Sequence, residues 1–521
     1  MKRINNTESL TENDTDLTGR DRIFSNVLWS WGGYFIIIVS GFIMPRMIDN
    51  YIGQFSLGIW DFCWSIASYL SLSSIGIGSS VNRYVAKYRA VGNIEGICSS
   101  VSSVLYIELF TAIVVIIISI VLSWALPLWF SSRLGKEIES SQWVVMCLGI
   151  AIAVQIALEV SRGVITGCHR WDVNNGINVL STAIGFFLML SALLLGNGLK
   201  ALGIAYLLSV VSSEMLRVYA AFRICPELKI KISTVKWPVV KEMVQFGAKA
   251  IIATIAPFVV VQTVSLFIID TLGASMLAVF SRPVALVRHI ETFMNKFAFI
   301  TTPTAGALQA NADDKDLKQF FLDTTKYAAA VVFPIALFLI VFGDYILRIW
   351  MGPRYEYGLV LSILAIGYVL PVSQSPALRI LIGTDSHGKI GAISLLASLT
   401  VLLLGAAILY FTKWSLISGA ILLAVSLTIG NGILVPAYAC YKFGISLKEY
   451  ISLSFSVPVI CTIALGAVFV LIRYLFFENM FVALGCGISF GAIIISILYW
   501  RFMLPEDFQN RIMQTVFKNN I

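Results

Sequence analysis

The sequence predicts an all-α polytopic membrane protein with about fourteen transmembrane helices. Hydrophobic residues make up 58% of the chain and charged residues only 13%, and the mean hydropathy is +0.86. Apolar runs recur from Ile23 almost to the C-terminus, and a helix needs roughly 20 such residues to cross the hydrocarbon core of a bilayer. A chain of this composition could not hide its apolar surface from water, so a bilayer is the expected environment.

The spans are predicted to form two pseudo-symmetric six-helix lobes plus two C-terminal helices. They are placed at 24–44, 56–78, 102–126, 143–165, 177–195, 201–221, 244–268, 274–298, 327–347, 358–382, 390–411, 414–439, 451–473 and 480–502. The predicted organisation is a disordered cytoplasmic tail (1–22), an N-lobe (23–222), a cytoplasmic linker (223–243), a C-lobe (244–442), spans 13 and 14 (443–503) and an amphipathic cytoplasmic tail (504–521). The first tail is too hydrophilic to be a signal peptide.

The formal net charge of +8 is explained by topology. Most of the 37 Lys and Arg residues fall in the N-terminal tail, in the loops that follow even-numbered spans and in the C-terminal tail. Such an excess marks the cytoplasmic side, so both termini are expected in the cytoplasm and no nucleic-acid partner is expected. The eight cysteines form no CxxC pair and the three histidines are scattered, which argues against a disulfide framework or a metal site.

A weak internal repeat supports the two lobes. Ile48–Gly53 (IDNYIG) resembles Ile269–Gly273 (IDTLG) with one gap, and Leu57–Trp60 then runs beside Leu277–Phe280. A unit of six spans returns the chain to the same side, so the lobes should be related by an axis along the membrane normal. In such folds the cargo site is expected between the lobes, and the repeat assigns spans 1, 2, 7 and 8 to it.

Span 8 is apolar enough to enter a bilayer, yet it carries Arg282, Arg288 and Glu291. A charged side chain at the bilayer centre costs roughly 3 kcal/mol or more, so these groups should face protein or water. The planar fork of arginine suits phosphate oxygens, which makes Arg282 and Arg288 candidate ligands of an anionic cargo. For Arg288 the structural alternative is an intrahelical pair with Glu291, three residues further on.

Two more cations are candidate cargo contacts. Lys249, about two turns into span 7, would attract phosphates at the inner mouth or equally snorkel to the headgroups. Arg46, at the outer end of span 1, is otherwise an interfacial anchor.

Coupling or gating is assigned to three acids, Asp61, Glu108 and Glu291. Asp61 would bridge to Arg282 and close the outer gate, or bind a proton or Na⁺, or be a hydrated carboxylate near a helix end. Glu108 is the solitary acid of span 3, which makes it a candidate for the coupling ion.

Hinges are predicted where glycine pairs or prolines interrupt a span, at Gly32, Gly33, Pro257 and Pro283. Prolines also occur in membrane helices for packing reasons alone, which is the competing explanation. Two acid–base pairs at i, i+3 spacing, Glu159/Arg162 and Glu214/Arg217, are predicted to be structural.

Several loose motifs, spread over nearly the whole chain, resemble one known family. The first two are the arrangement of the spans as six plus six plus two, and Pro45 followed by the IDNYIG link. The third is the basic segment RYVAKYRAVGN (83–93), which has the apolar stripe of an interfacial helix. The fourth is its weaker counterpart, ALQANADDKDL (307–317). In these features the chain resembles the polysaccharide transporter family, whose superfamily also contains multidrug and toxin extruders and lipid II flippases.

The resemblance implies two bundles in a V around a cationic cavity, working by alternating access. It implies a flippase that moves an undecaprenyl-pyrophosphate-linked oligosaccharide across the bacterial cytoplasmic (inner) membrane, for assembly of O-antigen, capsule or exopolysaccharide. The implied partners are this glycan lipid, the bilayer, and a polysaccharide polymerase with its chain-length machinery. No cofactor is implied, and the expected coupling ion is H⁺ or Na⁺.

Three other function classes explain the sequence less well. A cation-coupled multidrug exporter would need buried acids, whereas the predicted cleft helices carry more arginine and lysine than acid. A glycan polymerase or ligase would be expected to use a large external loop, but the longest here (129–142) offers only Glu137 and Glu139, so no enzyme is expected. A purely structural scaffold leaves the charges of span 8 unexplained.

Overall fold

The computed structural model describes residues 23–74, 78–231, 237–310, 314–504, 506 and 509, and all regular elements within these ranges are helical. The all-α fold class is therefore confirmed. The predicted N-terminal tail, part of the predicted linker and most of the predicted C-terminal tail lie outside the described residues.

Sixteen α-helices follow one another along the described chain. They are α1 (Ile23–Ser71), α2 (Gly78–Ala90), α3 (Ile94–Leu134), α4 (Ile138–Gly167), α5 (Trp171–Leu194), α6 (Gly198–Ile224), α7 (Trp237–Leu272), α8 (Ala274–Ala310), α9 (Asp314–Met351), α10 (Gly358–Ser373), α11 (Ser375–Gly383), α12 (His387–Phe411), α13 (Leu416–Leu427), α14 (Val435–Phe443), α15 (Leu447–Leu475) and α16 (Met480–Phe502). A π-helical turn, Thr428–Leu434, joins α13 to α14.

Among the residues that the structure describes, eleven helical segments are long and apolar enough to cross a membrane. Three of them are interrupted: Ile36–Ser71 at Gly53, Ile94–Gly167 at the short 3₁₀ turn Gly135–Glu137, and Gly358–Gly383 at Gln374. The charged helix α8 is not among the eleven. The protein is thus a multi-pass membrane protein, and the number of fourteen spans stays a prediction.

Large apolar side chains cover the outside of these helices. On α3 they recur every three or four residues and are exposed, at Phe110, Ile113, Ile117, Val121 and Trp124. A continuous apolar stripe of this kind would be unfavourable in water but is the expected surface in contact with acyl chains.

The two halves of the sequence repeat share one backbone feature. Gly53 and Gly273 close the two repeated motifs, and both have positive φ, 86° and 88°. Gly53 also has ψ of 164°, a combination that is essentially restricted to glycine because a Cβ would clash. The repeat therefore marks two equivalent turns between consecutive helices.

The helices form two compact units, one ending at Ile251 and the other beginning at Ile252, within α7. The lobe boundaries predicted from the sequence, 23–222 and 244–442, stay a prediction. In the N-terminal unit α4 packs against both α3 and α6. The basic helix α2 covers one end of this core with Val81 and Val85, which are buried, while Arg83 and Lys87 on its other side are exposed. The predicted apolar stripe of α2 is confirmed.

In the C-terminal unit α9 packs against both α10 and α15. Aromatic rings fill the contact, where Phe321 of α9 stacks on Tyr450 of α15 with ring centroids 5.1 Å apart and planes 4° apart. Near the other end of the same two helices, Phe342 and Phe469 meet edge to face at 5.6 Å. Rings that interlock at both ends hold α15 along the length of α9.

The turn at Gly53 gives a test of this backbone. Replacing Gly53 by alanine should lower the free energy of unfolding by about 1–3 kcal/mol, because alanine is strained at this φ and ψ. The control is Gly41→Ala, where a Cβ would have no atom within 4 Å, and where alanine should stabilise the helix slightly. Thermal unfolding of the purified protein in detergent measures both. Equal midpoints for the two variants would contradict the assignment.

Candidate functional site

A polar cavity of about 110 Å³ lies within the C-terminal unit. Eight of its lining residues are polar or charged, namely Thr254, Glu291, Asn295, Tyr368, Gln374, Ser375, Arg379 and Asn431. Liquid water occupies about 30 Å³ per molecule, so the space suits about three waters, or a small hydrated cation. A polar lining this dense inside membrane-spanning helices is expensive and usually functional.

The cavity forms where one membrane helix is interrupted. α10 ends at Ser373 and α11 begins at Ser375, so the helix is interrupted at Gln374. The sequence explains the break: Pro376 has no backbone N–H, so it cannot donate to the carbonyl four residues earlier as another residue of a continuous helix would. The break leaves backbone groups that have to find partners inside the protein.

A second irregularity faces the first. In the π-helical turn Thr428–Leu434, Asn431 lines the cavity and its Oδ1 accepts a hydrogen bond of 2.8 Å from Ser394 Oγ. The turn lies so close to α10 that a Cβ on Gly432 would sit 3.1 Å from Leu370 Cβ. π-helical turns inside α-helices are frequent at functional sites, because the extra residue turns side chains out of the regular pattern.

Gln374 ties the two irregularities together. Its Nε2 donates to the carbonyl of Gly432 at 2.7 Å and to that of Leu370 at 3.2 Å. Its Oε1 accepts a hydrogen bond of 2.9 Å from Tyr450 Oη. With only 4% of its surface exposed, Gln374 is a fixed polar link between α10, the π-helical turn and α15.

Glu291 of α8 contributes the negative charge of the lining and is half-buried. It interacts electrostatically with Tyr368 and with Arg288. Tyr368 is 3% exposed, and its hydroxyl has no hydrogen-bond partner among the residues that the structure describes. A buried hydroxyl beside a carboxylate is costly unless a ligand or water completes it, so the arrangement favours an occupied cavity.

Arg379 supplies the positive charge of the lining. Its guanidinium lies over the ring of Phe299, 5.6 Å from the centroid. Because Glu291 and Arg379 carry opposite charges, the lining has no net charge, and its remaining polar side chains are hydroxyl and amide groups. Across the described ranges no cluster of His, Cys, Asp and Glu is suited to holding a metal ion. This donor set suits a proton or a single monovalent cation better than a divalent one.

The structure separates the two arginines of span 8. Arg282 is 4% exposed, whereas Arg288 is exposed. Arg288 and Glu291 interact electrostatically, but the described side chains show no direct ion pair between them. Arg288 is therefore near enough to influence Glu291 while its guanidinium stays accessible.

The predicted acids and cations outside span 8 are spread over the N-terminal unit. Asp61 and Arg46 are both half-buried. Glu108 is 2% exposed, and its Oε2 accepts a hydrogen bond of 3.1 Å from the backbone N–H of Val160. The side chain of Lys249 lies outside the described part of the structure.

The two acid–base pairs predicted in the N-terminal unit are confirmed. Glu159 and Arg162 form a partly exposed ion pair of 3.2 Å. Glu214 and Arg217 form a buried pair, and Arg217 also donates to Asn178 Oδ1. Burial of both charges with an extra amide partner fits a structural role for this pair.

The four predicted hinge residues lie in helices, and no observation tests their motion. Pro257 of α7 lines the cavity, and Pro283 is buried in α8. Gly32 and Gly33 lie in α1, in a part whose surroundings the structure does not describe.

Tyr368, Gln374 and Arg379 were not predicted from the sequence to be members of one site. Pro371 and Pro376, which flank Gln374, were the available signal for an interrupted helix, and the Gly430–Gly432 triplet GNG was the signal for the irregular turn. Neither signal predicts that the two irregular segments lie next to each other in the fold.

Solved structures define the class of fold. One is an inward-facing multidrug resistance MATE family transporter of the MOP superfamily, 15% identical, with a TM-score of 0.65 over 78% of this chain and 94% of that one. Another is the lipid II flippase MurJ in an inward closed conformation, 14% identical, with a TM-score of 0.66 over 92% and 100%. A third is a MOP superfamily transporter from Pyrococcus furiosus with a binding pocket described as reversed in polarity, 15% identical, with a TM-score of 0.62 over 82% and 96%. The chain has the MOP superfamily fold.

The family follows from the sequence match. Residues 93–358, just over half of the chain, match the polysaccharide biosynthesis protein family. The chain belongs to this family, which confirms the resemblance inferred from its motifs. No protein with a curated description matches it.

Proposed function

We propose that the protein is a flippase for an undecaprenyl-pyrophosphate-linked oligosaccharide in the assembly of a surface polysaccharide. One observation carries the proposal: a member of a polysaccharide biosynthesis family has the fold of membrane transporters. A transporter in such a pathway needs a cargo that is made on one side of the bilayer and used on the other. A glycan built on a lipid diphosphate is that kind of cargo.

The charges of the C-terminal unit support an anionic headgroup. Arg282 and Arg288 lie on α8, and Arg379 lies on α11. Arginine keeps its charge at any physiological pH and binds two phosphate oxygens at once. We assign the diphosphate to Arg282 and Arg288, with Lys249 and Arg46 as further contacts.

The polar cavity is proposed as the coupling site. Glu291 would bind a proton or Na⁺, with Tyr368 and Asn431 as neutral ligands. Such an ion neutralises the carboxylate of Glu291, and its release restores the negative charge of that carboxylate. Occupancy therefore changes how strongly the neighbouring Arg288 attracts an anion, which links the ion to the cargo.

A cation-coupled multidrug exporter is the competing function, and the likeness to MATE transporters favours it. For such an exporter, Glu291 would bind the drug cation itself. The two functions differ in what accumulates when the gene is lost: a lipid-linked glycan in the first case, an intracellular drug in the second.

The cargo assignment is tested in a host from which this gene has been deleted. Arg282→Ala should reduce surface polysaccharide by at least about tenfold, because a lost charge-assisted hydrogen bond costs roughly 1.5–3 kcal/mol. Arg282→Lys should lie between alanine and wild type. Mass spectrometry of membrane extracts should show the lipid-linked glycan accumulating.

The control is Arg348→Ala, which removes a half-exposed pair with Glu356 at 3.3 Å and should export normally. Normal export by Arg282→Ala at wild-type expression would remove Arg282 from the site. Drug hypersensitivity of the deletion strain without any accumulated glycan lipid would favour the exporter.

The coupling assignment is tested in proteoliposomes with an imposed pH or Na⁺ gradient. The wild-type flipping rate should respond to one of these gradients. The Glu291→Gln variant keeps the shape of the side chain but not its charge. It should flip the cargo slowly, at a rate that is the same with the pH gradient and with the Na⁺ gradient. Glu449→Gln, at an exposed acid near the start of α15, is the control and should behave as wild type. An unchanged gradient response in Glu291→Gln would contradict the assignment.

A further inference from the structure

One side chain of α15, that of Tyr450, hydrogen-bonds to a residue of the cavity lining. Tyr450, in the first turn of α15, is 3% exposed, and its hydroxyl donates to Gln374 Oε1 at 2.9 Å. Its ring is fixed on two sides, stacked on Phe321 at 5.1 Å and edge-on to Phe455 at 5.6 Å. The hydroxyl therefore has little freedom to turn away from Gln374.

α15 itself is fastened to α9 near both ends. Ser454 Oγ donates to the carbonyl of Leu322 at 3.2 Å. At the other end Arg473 forms an ion pair with Asp344, and its guanidinium lies 4.7 Å from the ring centroid of Tyr345. Tyr450 is thus a fixed point rather than a side chain at the end of a loose helix.

Gln374 connects Tyr450 to the rest of the cavity lining by a further hydrogen bond. It donates to the carbonyl of Gly432, the residue after Asn431. The π-helical turn lies close to α10 at this point, since a Cβ added to Gly432 would lie 3.2 Å from Pro371 Cδ. The position of Asn431 in the cavity consequently depends on the chain of contacts from Tyr450 through Gln374.

We propose that Tyr450 is a positioning residue for the cavity and that α15, which lies outside the two predicted six-helix lobes, sets the geometry of the ion site. The proposal rests on the proposed function only in naming the occupant as a proton or Na⁺. It assigns to α15 a task beyond packing against α9: the fixed position of α15 sets the geometry of the ion site by way of the Tyr450–Gln374 hydrogen bond.

Tyr450→Phe tests the proposal because it removes only the hydroxyl and keeps the stacked ring. The matched control is Tyr499→Phe, which removes a similar hydrogen bond, from α16 to the carbonyl of Ala330 on α9, with no link to the cavity. Hydrogen–deuterium exchange of the protein in nanodiscs is the first measurement. In Tyr450→Phe, segments 370–377 and 428–435 should exchange about fivefold faster, as expected for one lost neutral hydrogen bond.

In Tyr499→Phe, those two segments should exchange as in the wild type. A variant Gln374→Met, which also loses the bonds to Leu370 and Gly432, should exchange at least as fast as Tyr450→Phe. Adding Tyr450→Phe to it should change nothing more, because the Tyr450 hydroxyl acts on these segments through Gln374. Wild-type exchange of both segments in Tyr450→Phe, or fully additive effects in the double variant, would overturn the proposal.

The second measurement is the ion concentration needed for half-maximal flipping in proteoliposomes. Tyr450→Phe should raise it about fivefold and leave the maximal rate unchanged. A variant with faster exchange but a wild-type ion dependence would overturn the positioning role and leave Glu291 as the ion site. A wild type whose flipping ignores both ions would instead refute the proposed ion, while the exchange data would still decide whether Tyr450 sets the cavity geometry.

Discussion

The constraint on which this structure depends is that a backbone group released inside a membrane has to be satisfied by the protein. Where α10 stops at Ser373, the carbonyl of Leu370 accepts hydrogen bonds from both the backbone N–H and the side-chain Nε2 of Gln374. In water, solvent would satisfy such groups, whereas in hydrocarbon each unpaired group costs several kcal/mol. An interrupted helix is therefore stable only where other polar groups are at hand, and those groups line a cavity.

The same reasoning explains how each unit accommodates charge inside the membrane. Charged side chains inside a membrane need either an opposite charge or water. In the C-terminal unit, α8 places Glu291 in the lining of the polar cavity, with Arg288 near enough to interact with it electrostatically. The N-terminal unit uses the other solution, in which Glu214 and Arg217 neutralise each other in a buried pair. In the N-terminal unit the two charges form a structural pair. In the C-terminal unit the carboxylate of Glu291 lies near the Tyr368 hydroxyl, which lacks a hydrogen-bond partner among the described residues. The second arrangement is the one that suits exchange of an ion.

Much of the fold could be predicted from local sequence, since hydropathy, i, i+3 spacing and glycine depend on near neighbours. The helical class, the amphipathic face of α2 and the acid–base pairs at 159/162 and 214/217 were predictable in this way. The repeated motif also pointed to equivalent turns, and Gly53 and Gly273 share a positive φ. The number of spans and the lobe boundaries remain predictions, because length and composition alone do not fix either.

The cavity was not predictable, because it depends on which distant segments meet. Gln374 and Tyr450 are 76 residues apart, and neither is unusual in its own stretch of sequence. Of the site residues named from the sequence, only Glu291 and Pro257 line the cavity.

Infrared difference spectroscopy of the purified protein tests most directly whether the cavity of the C-terminal unit binds an ion at Glu291. Spectra recorded on adding acid, or NaCl against choline chloride, should contain a carboxyl band of one buried acid that is absent from Glu291→Gln and retained in Glu108→Gln. Identical difference spectra for the wild type and Glu291→Gln would contradict the account.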